Sequence, residues 1–457
     1  MTVVNKSSSG PVPTTHGGRK RYITVAARLV LMLGFAALWM SGSLYLAMPW
    51  IDALAADIGR IAAWVVVAGI ALIPGYVNAF LVAGLLFDWR PRFQPLEQTP
   101  GLSVLIAAYN EENSINGTLA SIFRQKYPGP LQIIVINDGS RDRTVDVVRE
   151  FQTSIQRLQA DYTLELIDCE TNQGKAAALN RGLKQAHYSL VATIDADSML
   201  YRDALLNIVT NHLRSPGHTA ATAGCVLVRN SRKNLLSKLQ EWDYFLGISV
   251  VKRIQSLLQG TLVAQGAFSV YSKPVLESVG GWRDTVGEDI VLTWSMIEKG
   301  YRVGFAENAF AFTNVPENYR AFYNQRKRWS RGLIEAFKRF PRVLVHPRLN
   351  TPFVWLNLLF PYLDCIYLFV FLPGVVAAIF FQYYAVASIV TLFLLPLILI
   401  LNLLMYVKQV EVFKQHGLKV RRNILGATFF MLGYQAILAP ACVVGYASEL
   451  FNTRKSW

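Results

Sequence analysis

Several short stretches of this 457-residue chain carry side chains that could do chemistry. Asp195-Ala196-Asp197 closes an apolar run. Two carboxylates one residue apart in a turn can approach a hard divalent cation that takes its other ligands from water and phosphate. Asp138 closes a second apolar run, so the two acidic turns reinforce one another. Gly287-Glu288-Asp289 opens a helical stretch after the turn Gly280-Gly281-Trp282. Acids there either complement the helix dipole or offer a general base to a hydroxyl. Gln325-Arg326-Lys327-Arg328-Trp329 is the densest cluster. It reads either as a juxtamembrane basic anchor with an interfacial Trp, or as a site where Arg328 meets a departing diphosphate and Trp329 stacks on a sugar.

The elements that must position these residues read as α/β. Leu102 to Tyr109, Leu131 to Asp138, Leu164 to Cys169 and Leu190 to Asp197 are short apolar runs that end in polar residues. Helical patterns separate them at Glu112 to Lys126, Arg143 to Leu158 and Lys175 to Ala186. That alternation predicts a mainly parallel sheet covered by helices on both faces, with ligands beyond the carboxyl ends of the strands. Asn110, Glu111, Asn137, Asp138, Asp195 and Asp197 stand at those ends. No GxGxxG follows the first strand, and Gly174-Lys175 lacks both the Ser/Thr and the first Gly of a P-loop, so both familiar nucleotide cradles are excluded.

Composition places part of the chain in lipid: 53% of residues are hydrophobic and only 16% charged. The apolar residues concentrate at the two ends. Val25 to Leu46, Ile61 to Phe87, Leu356 to Phe381, Ala385 to Val407 and Ile424 to Ala447 are each long enough to span a bilayer core. This divides the chain into a disordered tail at 1–22, two transmembrane helices at 23–89, a cytoplasmic domain at 90–349, and about three transmembrane or interfacial helices at 350–457. Arg19, Lys20, Arg21 and Arg28 precede the first span, whereas the loop after it carries Asp52 and Asp57. The positive-inside rule therefore puts the N-terminus, the central domain and the basic loop at 408–423 in the cytoplasm. Five full spans leave Arg454 and Lys455 outside, a conflict that a re-entrant last segment around Pro440 would remove. Asp364, inside the third apolar run, faces the bundle or a sugar path, or marks an interfacial helix.

The net charge of +15 suits anionic lipid and phosphate; no basic stripe with interleaved aromatics points to nucleic acid. Cys169, Cys225, Cys365 and Cys442 form no CxxC pair and read as buried thiols.

Taken in order, Asp138, the run Asn172-Gln173-Gly174-Lys175-Ala176, Asp195-Ala196-Asp197, Glu288-Asp289 and Gln325-x-x-Arg328-Trp329 resemble the processive, inverting family-two glycosyltransferases. This is the group of cellulose, chitin, hyaluronan and poly-N-acetylglucosamine synthases, and the two leading and three trailing spans are most similar to its poly-β-1,6-N-acetyl-D-glucosamine synthases. The resemblance implies a GT-A fold inserted between membrane helices, a UDP-sugar donor, and Mg²⁺ or Mn²⁺. It implies that Tyr109, Glu111 and Asp138 hold the uridine, with Lys175 near the nucleotide. Asp195 and Asp197 would position the diphosphate and the metal, Asp197 more directly. Asp289 would be the catalytic base. Gln325, Arg328 and Trp329 would bind the acceptor end and the leaving diphosphate.

Two departures stand out. Gly287 occupies the place of a common Thr before Glu288-Asp289. Asp243, in Gln240-Glu241-Trp242-Asp243-Tyr244, stands where related synthases carry a Glu that bears on acceptor or donor specificity. The expected function is polymerisation of a UDP-sugar, favouring UDP-N-acetylglucosamine, with export of the chain through the bilayer. A small accessory membrane subunit is a further expected partner. Hyaluronan, chitin-oligomer or glucan synthesis, or single transfer to a lipid acceptor, are the alternatives.

Overall fold

The computed structural model describes residues 23–88, 96–155, 162–387, 391, 394–420 and 422–453. The expected disordered tail at 1–22, the basic residues Arg19, Lys20, Arg21 and Arg421, and the terminal Arg454 and Lys455 lie outside the described residues. Among the described residues five helices are long and apolar enough to cross a membrane.

The first of these, α1 (Val25–Ile58), is capped by the Thr24 hydroxyl, which accepts from the Ala27 amide at 3.2 Å. It runs well past the apolar stretch and contains Pro49. The acidic loop expected at Asp52 and Asp57 is therefore helical. Trp50, Ile51 and Leu54 are buried against α2 (Arg60–Leu86), and this packing carries the helix on. Gly59, at φ 86°, alone makes the turn between the two helices, a backbone angle that favours glycine.

The domain that follows is built on an eight-stranded sheet of order β3-β2-β1-β4-β7-β6-β8-β5. The strands β1 (Leu102–Ala108), β2 (Leu131–Asp138), β3 (Tyr162–Cys169) and β4 (Leu190–Ile194) pair in parallel, as the apolar runs predict. Their intervening helices are α3 (Ile115–Phe123), α4 (Thr144–Ile155) and α5 (Lys175–Gln185). The other half makes the sheet mixed. β5 (Met199–Leu200) and β7 (Phe268–Ser272) run antiparallel to their neighbours, while β6 (Thr219–Val228) and β8 (Arg302–Thr313) pair in parallel. α6 (Ala204–Arg214) precedes β6, and a helical stretch at 235–257, here α7, precedes β7. Within α7 the segment Asp243–Val250 is π-helical, a local widening of the turn. α8 (Lys273–Val279) and α9 (Glu288–Glu298) lie between β7 and β8.

One face of the sheet is closed by α3 and α6 through Ile115, Leu119, Leu205 and Ile208. The other shares one continuous apolar core with the membrane helices, from Met32 and Phe80 through Ile254, Trp294 and Phe337 to Phe353. The ring centroids of Phe80 and Phe353 lie 5.5 Å apart. The sheet therefore sits directly on the helices rather than hanging from a linker.

After β8 comes α10 (Tyr319–Arg339), capped by the Asn318 side chain, then α11 (Thr351–Phe381), α12 (Leu395–Gln415) and α13 (Ile424–Leu450). The fourth of these helices absorbs Lys408 and Lys414 into its last turns. Asp364 of α11 faces the bundle, accepting from Gln435 (2.7 Å) and Tyr446 (2.9 Å) of α13. α13 lies along α10. A Cβ at Gly445 would fall 2.0 Å from the Ser330 hydroxyl, so the two backbones touch. Buried Arg331 of α10 donates to buried Glu449 of α13 at 2.8 Å. Removing one partner of such a pair typically costs about 3–5 kcal/mol. Glu449→Ala should accordingly lower the apparent melting temperature of the detergent-solubilised protein, and Glu449→Gln less so; an unchanged transition in both would show that the pair does not hold α13.

Candidate active site

At the carboxyl ends of β1 and β2 two loops are stitched together by side chains. Asn110 adopts φ 56°, a left-handed conformation that Asn tolerates. Its amide donates to the Ser140 hydroxyl and its side-chain oxygen accepts from the Arg141 amide, both at 2.9 Å. The Glu111 amide donates to the Thr144 hydroxyl at 2.8 Å. Tyr109 is left 44% exposed at the rim, free to lie against a planar ligand. Asp138 is buried, and its two oxygens accept the Gln173 and Gly174 amides at 2.9 and 2.8 Å. It thus holds the loop that delivers Lys175. Gly139, at φ 72°, passes so close that a Cβ would meet the Asn172 amide nitrogen at 2.7 Å.

Lys175 is the first residue of α5 and reaches across the site. Its Nζ donates to Asp195 and lies 3.7 Å from Glu288. Burial opposes its charge, but the Asp195 and Glu288 carboxylates outweigh burial and hold its pKa above the ordinary lysine value. Gly266 allows this approach, since a Cβ there would meet the Lys175 Nζ at 2.8 Å. The Asp195-Ala196-Asp197 turn is pinned by the Thr118 hydroxyl donating to the Ala196 carbonyl at 2.7 Å. Asp197 accepts from the Thr313 hydroxyl at 3.0 Å, from the end of β8. Burial first, then Asp195, raises the Asp197 pKa. Burial and the charges of Asp197 and Asp195 likewise push Glu111 up to about 7. These groups crowd negative charge into a half-buried pocket that would be eased by a cation.

Among the described residues no three metal-ligating side chains gather. Two hard carboxylates nevertheless fit a divalent ion that takes its remaining oxygens from a diphosphate and water.

Glu288 and Asp289 begin α9. Burial raises the Glu288 pKa, and Lys175 counters it. The Asp289 carboxylate accepts the Ile290 amide at 2.7 Å and the Gly266 amide at 3.4 Å, which orient it toward the strand ends. On α10, Arg328 is exposed, Trp329 is 39% exposed and Gln325 is half-buried. The Trp329 ring faces Tyr244 of α7 with centroids 6.3 Å apart. Asp243 is not free in the pocket: it is ion-paired with Arg326 at 2.9 Å.

The fold thus gathers the sequence-predicted residues into two neighbouring groups. Asp195, Asp197, Glu111 and Lys175 form one, with Asp289 beside it; Gln325, Arg328, Trp329 and Asp243 line α10 and α7. Sequence reasoning gave Arg326 and Tyr244 no role of their own, and missed Thr313 and the role of Gly287. A Cβ at Gly287 would lie 2.9 Å from the Gly332 Cα, so α9 and α10 cross with backbones nearly in contact. A Thr at this place would be pressed into that crossing, which accounts for its absence.

A sheet of this order, with paired carboxylates at a strand end and two further acids on the helix facing them, defines a GT-A-like domain inserted between apolar helices. Residues 103–280 match the model of Glycosyl transferase family 2. The chain is 34% identical to a poly-beta-1,6-N-acetyl-D-glucosamine synthase of Staphylococcus epidermidis, over 58% of this chain and 65% of the relative. It is 32% identical to the synthase of the same description from Staphylococcus aureus strain MSSA476, over 59% and 65% respectively. The chain therefore spans about two thirds of the length of these curated relatives. The solved mannosyltransferase PcManGT from Pyrobaculum calidifontis, in complex with GDP-Man and Mn2+, has the same fold at TM-score 0.57 and 20% identity, covering 88% of this chain and 100% of that one.

Gly332→Ala, or Gly287→Thr, should push α10 off α9 at a cost of about 1–3 kcal/mol. A shift of about 1 Å between Asp289 and the α10 cluster should lower kcat about a hundredfold, read as sugar transfer per folded protein. Wild-type turnover in both variants would show that the crossing does not set the site.

Proposed function

We propose that this chain is a processive, inverting β-glycosyltransferase that polymerises a UDP-sugar, favouring UDP-N-acetylglucosamine and a poly-β-1,6-linked product, and exports the chain through the membrane. The observation that carries the reading is the convergence of Lys175, the Asp195-Asp197 turn and Asp289 beside an α10 that bears Arg328 and an exposed Trp329. The identity to synthases of that product supports the choice of sugar.

The chemistry follows from the residues. Tyr109 lies against the uracil ring and the stitched loops of Glu111 and Asp138 form the floor of the nucleotide site. Asp195 and Asp197 would hold Mg²⁺ or Mn²⁺, which when bound acts as a Lewis acid on the diphosphate. Lys175 and Arg328 add positive charge around that leaving group. The terminal sugar of the growing chain stacks on Trp329, a common use of an indole with one wet side, and Gln325 offers a hydrogen bond beside it. Asp289 takes the proton from the acceptor hydroxyl as its oxygen attacks the anomeric carbon. The bond to the diphosphate breaks on the opposite face, so an α-linked donor gives a β-linkage. Holding the product end on Trp329 while UDP leaves is what makes repeated addition favourable.

Membrane fractions carrying the protein, given Mg²⁺ or Mn²⁺ and labelled UDP-sugars, should place label from UDP-N-acetylglucosamine in large polymer. Asp289→Asn should abolish that incorporation while UDP binding and folding persist. Label confined to lipid extract in the wild type would mean single transfer to a lipid, and full polymer from Asp289→Asn would overturn the assignment of the base.

The cytoplasmic domain, in this reading, sits on the inner face of the bacterial plasma membrane, and α13 does not cross. Its 27 residues span about 40 Å, yet both ends bond to the domain. Asn423 accepts from the Trp242 indole at 2.9 Å at one end, and Glu449 meets Arg331 at 2.8 Å at the other. α10, beside it, carries too many cations to enter lipid. α13 then lies along the inner face, and Arg454 and Lys455 stay on the cytoplasmic side as the charge rule prefers. A green fluorescent reporter fused after residue 457 should fluoresce and an alkaline phosphatase fusion should be inactive; the reverse pattern would mean that α13 spans.

A further inference from the structure

The α10 cluster contains a second arginine that the proposed chemistry leaves unused. Arg326 is only 4% exposed, and its Cζ lies 4.2 Å from the Trp329 ring centroid. Phe322 and Tyr244 complete the aromatic enclosure, with centroids 5.2 and 5.9 Å from the same carbon. Its counter-charge is Asp243, 2.9 Å away. Asp243 in turn accepts a 2.9 Å hydrogen bond from the Tyr434 hydroxyl of α13. The Arg326 Nε and Nη2 are both buried without a hydrogen-bond partner among the described residues, so the guanidinium is held by the ion pair to Asp243 and by the rings around it.

We infer that Asp243 is a positioning residue for the acceptor: it holds Arg326, and Arg326, stacked on Trp329, fixes the indole against which the terminal sugar lies. This rests on the proposed function, because it takes Trp329 as the acceptor platform. A guanidinium over an indole is an attractive, directional contact that strengthens when desolvated, and its plane can be set only if its charge is held from the side. Asp243 opens the π-helical stretch of α7, a form of local widening that recurs at functional sites. Tyr244, the next residue, faces the same indole. Two consecutive side chains of α7 therefore set the Trp329 ring, one directly and one through Arg326. Tyr434 adds the last membrane-proximal helix to the same chain of contacts.

The test uses the full-length protein with UDP-N-acetylglucosamine and a β-1,6-linked N-acetylglucosamine pentasaccharide. Asp243→Asn should raise the pentasaccharide KM about tenfold and shorten the polymer, while the donor KM stays within about twofold. Asp243→Glu, which restores the charge, should recover most of the loss. Because Asp243→Asn leaves a buried guanidinium without its carboxylate, Asp243→Asn/Arg326→Met provides a variant with neither charge. If the pair served only to neutralise buried charge, the double variant would regain the wild-type acceptor KM, and the inference would fail. If Arg326 positions the indole, the double variant folds but keeps the raised KM. A wild type that extends no acceptor from any donor would sink the functional reading and this inference with it. A wild type that polymerises, beside an Asp243→Asn with unchanged acceptor KM, would overturn this inference alone.

Discussion

Five carboxylates, Glu111, Asp195, Asp197, Glu288 and Asp289, are brought to neighbouring strand and helix ends, and their mutual repulsion is the constraint on which the rest of the site depends. Lys175 is placed to bridge two of the motifs that carry them, donating to Asp195 and facing Glu288. Its position requires a left-handed Gly174 ahead of it, an amide loop gripped by Asp138, and a Cβ-free Gly266 beside it. Each of these is a backbone solution to an electrostatic problem.

The second group of residues is governed by close approach rather than by charge. Gly287 against Gly332 brings α9 to α10, and Gly445 against Ser330 brings α13 to its other side. α10 is clamped between a helix of the catalytic sheet and an apolar helix. Small residues permit backbones to near contact, and the ion pair of Arg331 with Glu449 then fixes their register. The shared core from Met32 to Phe353 joins the sheet to the membrane helices in the same way. The sheet and the apolar helices therefore form one mechanical unit.

Much of this was legible in the sequence, for identifiable reasons. β1 to β4 are buried on both faces, so LSVLIAA and LQIIVIND read as apolar runs, and the acids at their ends follow. β6 and β8 escaped notice because TAATAGCVLV and RVGFAENAFAFT are rich in Ala, Gly and Thr and lack that apolar density. The sheet is mainly parallel, as expected, and the antiparallel β7 and β5 make it mixed. Asp52 and Asp57 resembled a loop because polarity was visible and the packing of Trp50 and Leu54 was not. Asp243 was legible as a carboxylate near the site, but its partner is remote in sequence, and only the fold shows that Arg326 and Tyr434 occupy it. Gly287 looked like a lapse from a pattern until Gly332 was seen across from it.

The clamping of α10 by α13 has a consequence for how the protein is made. α10 emerges from the ribosome well before α13, with the surface around Gly332, Ser330 and Arg331 still open on one side. The packed face of α10 thus exists as sequence long before it exists as a rigid surface, and it is completed only when the last apolar helix has docked.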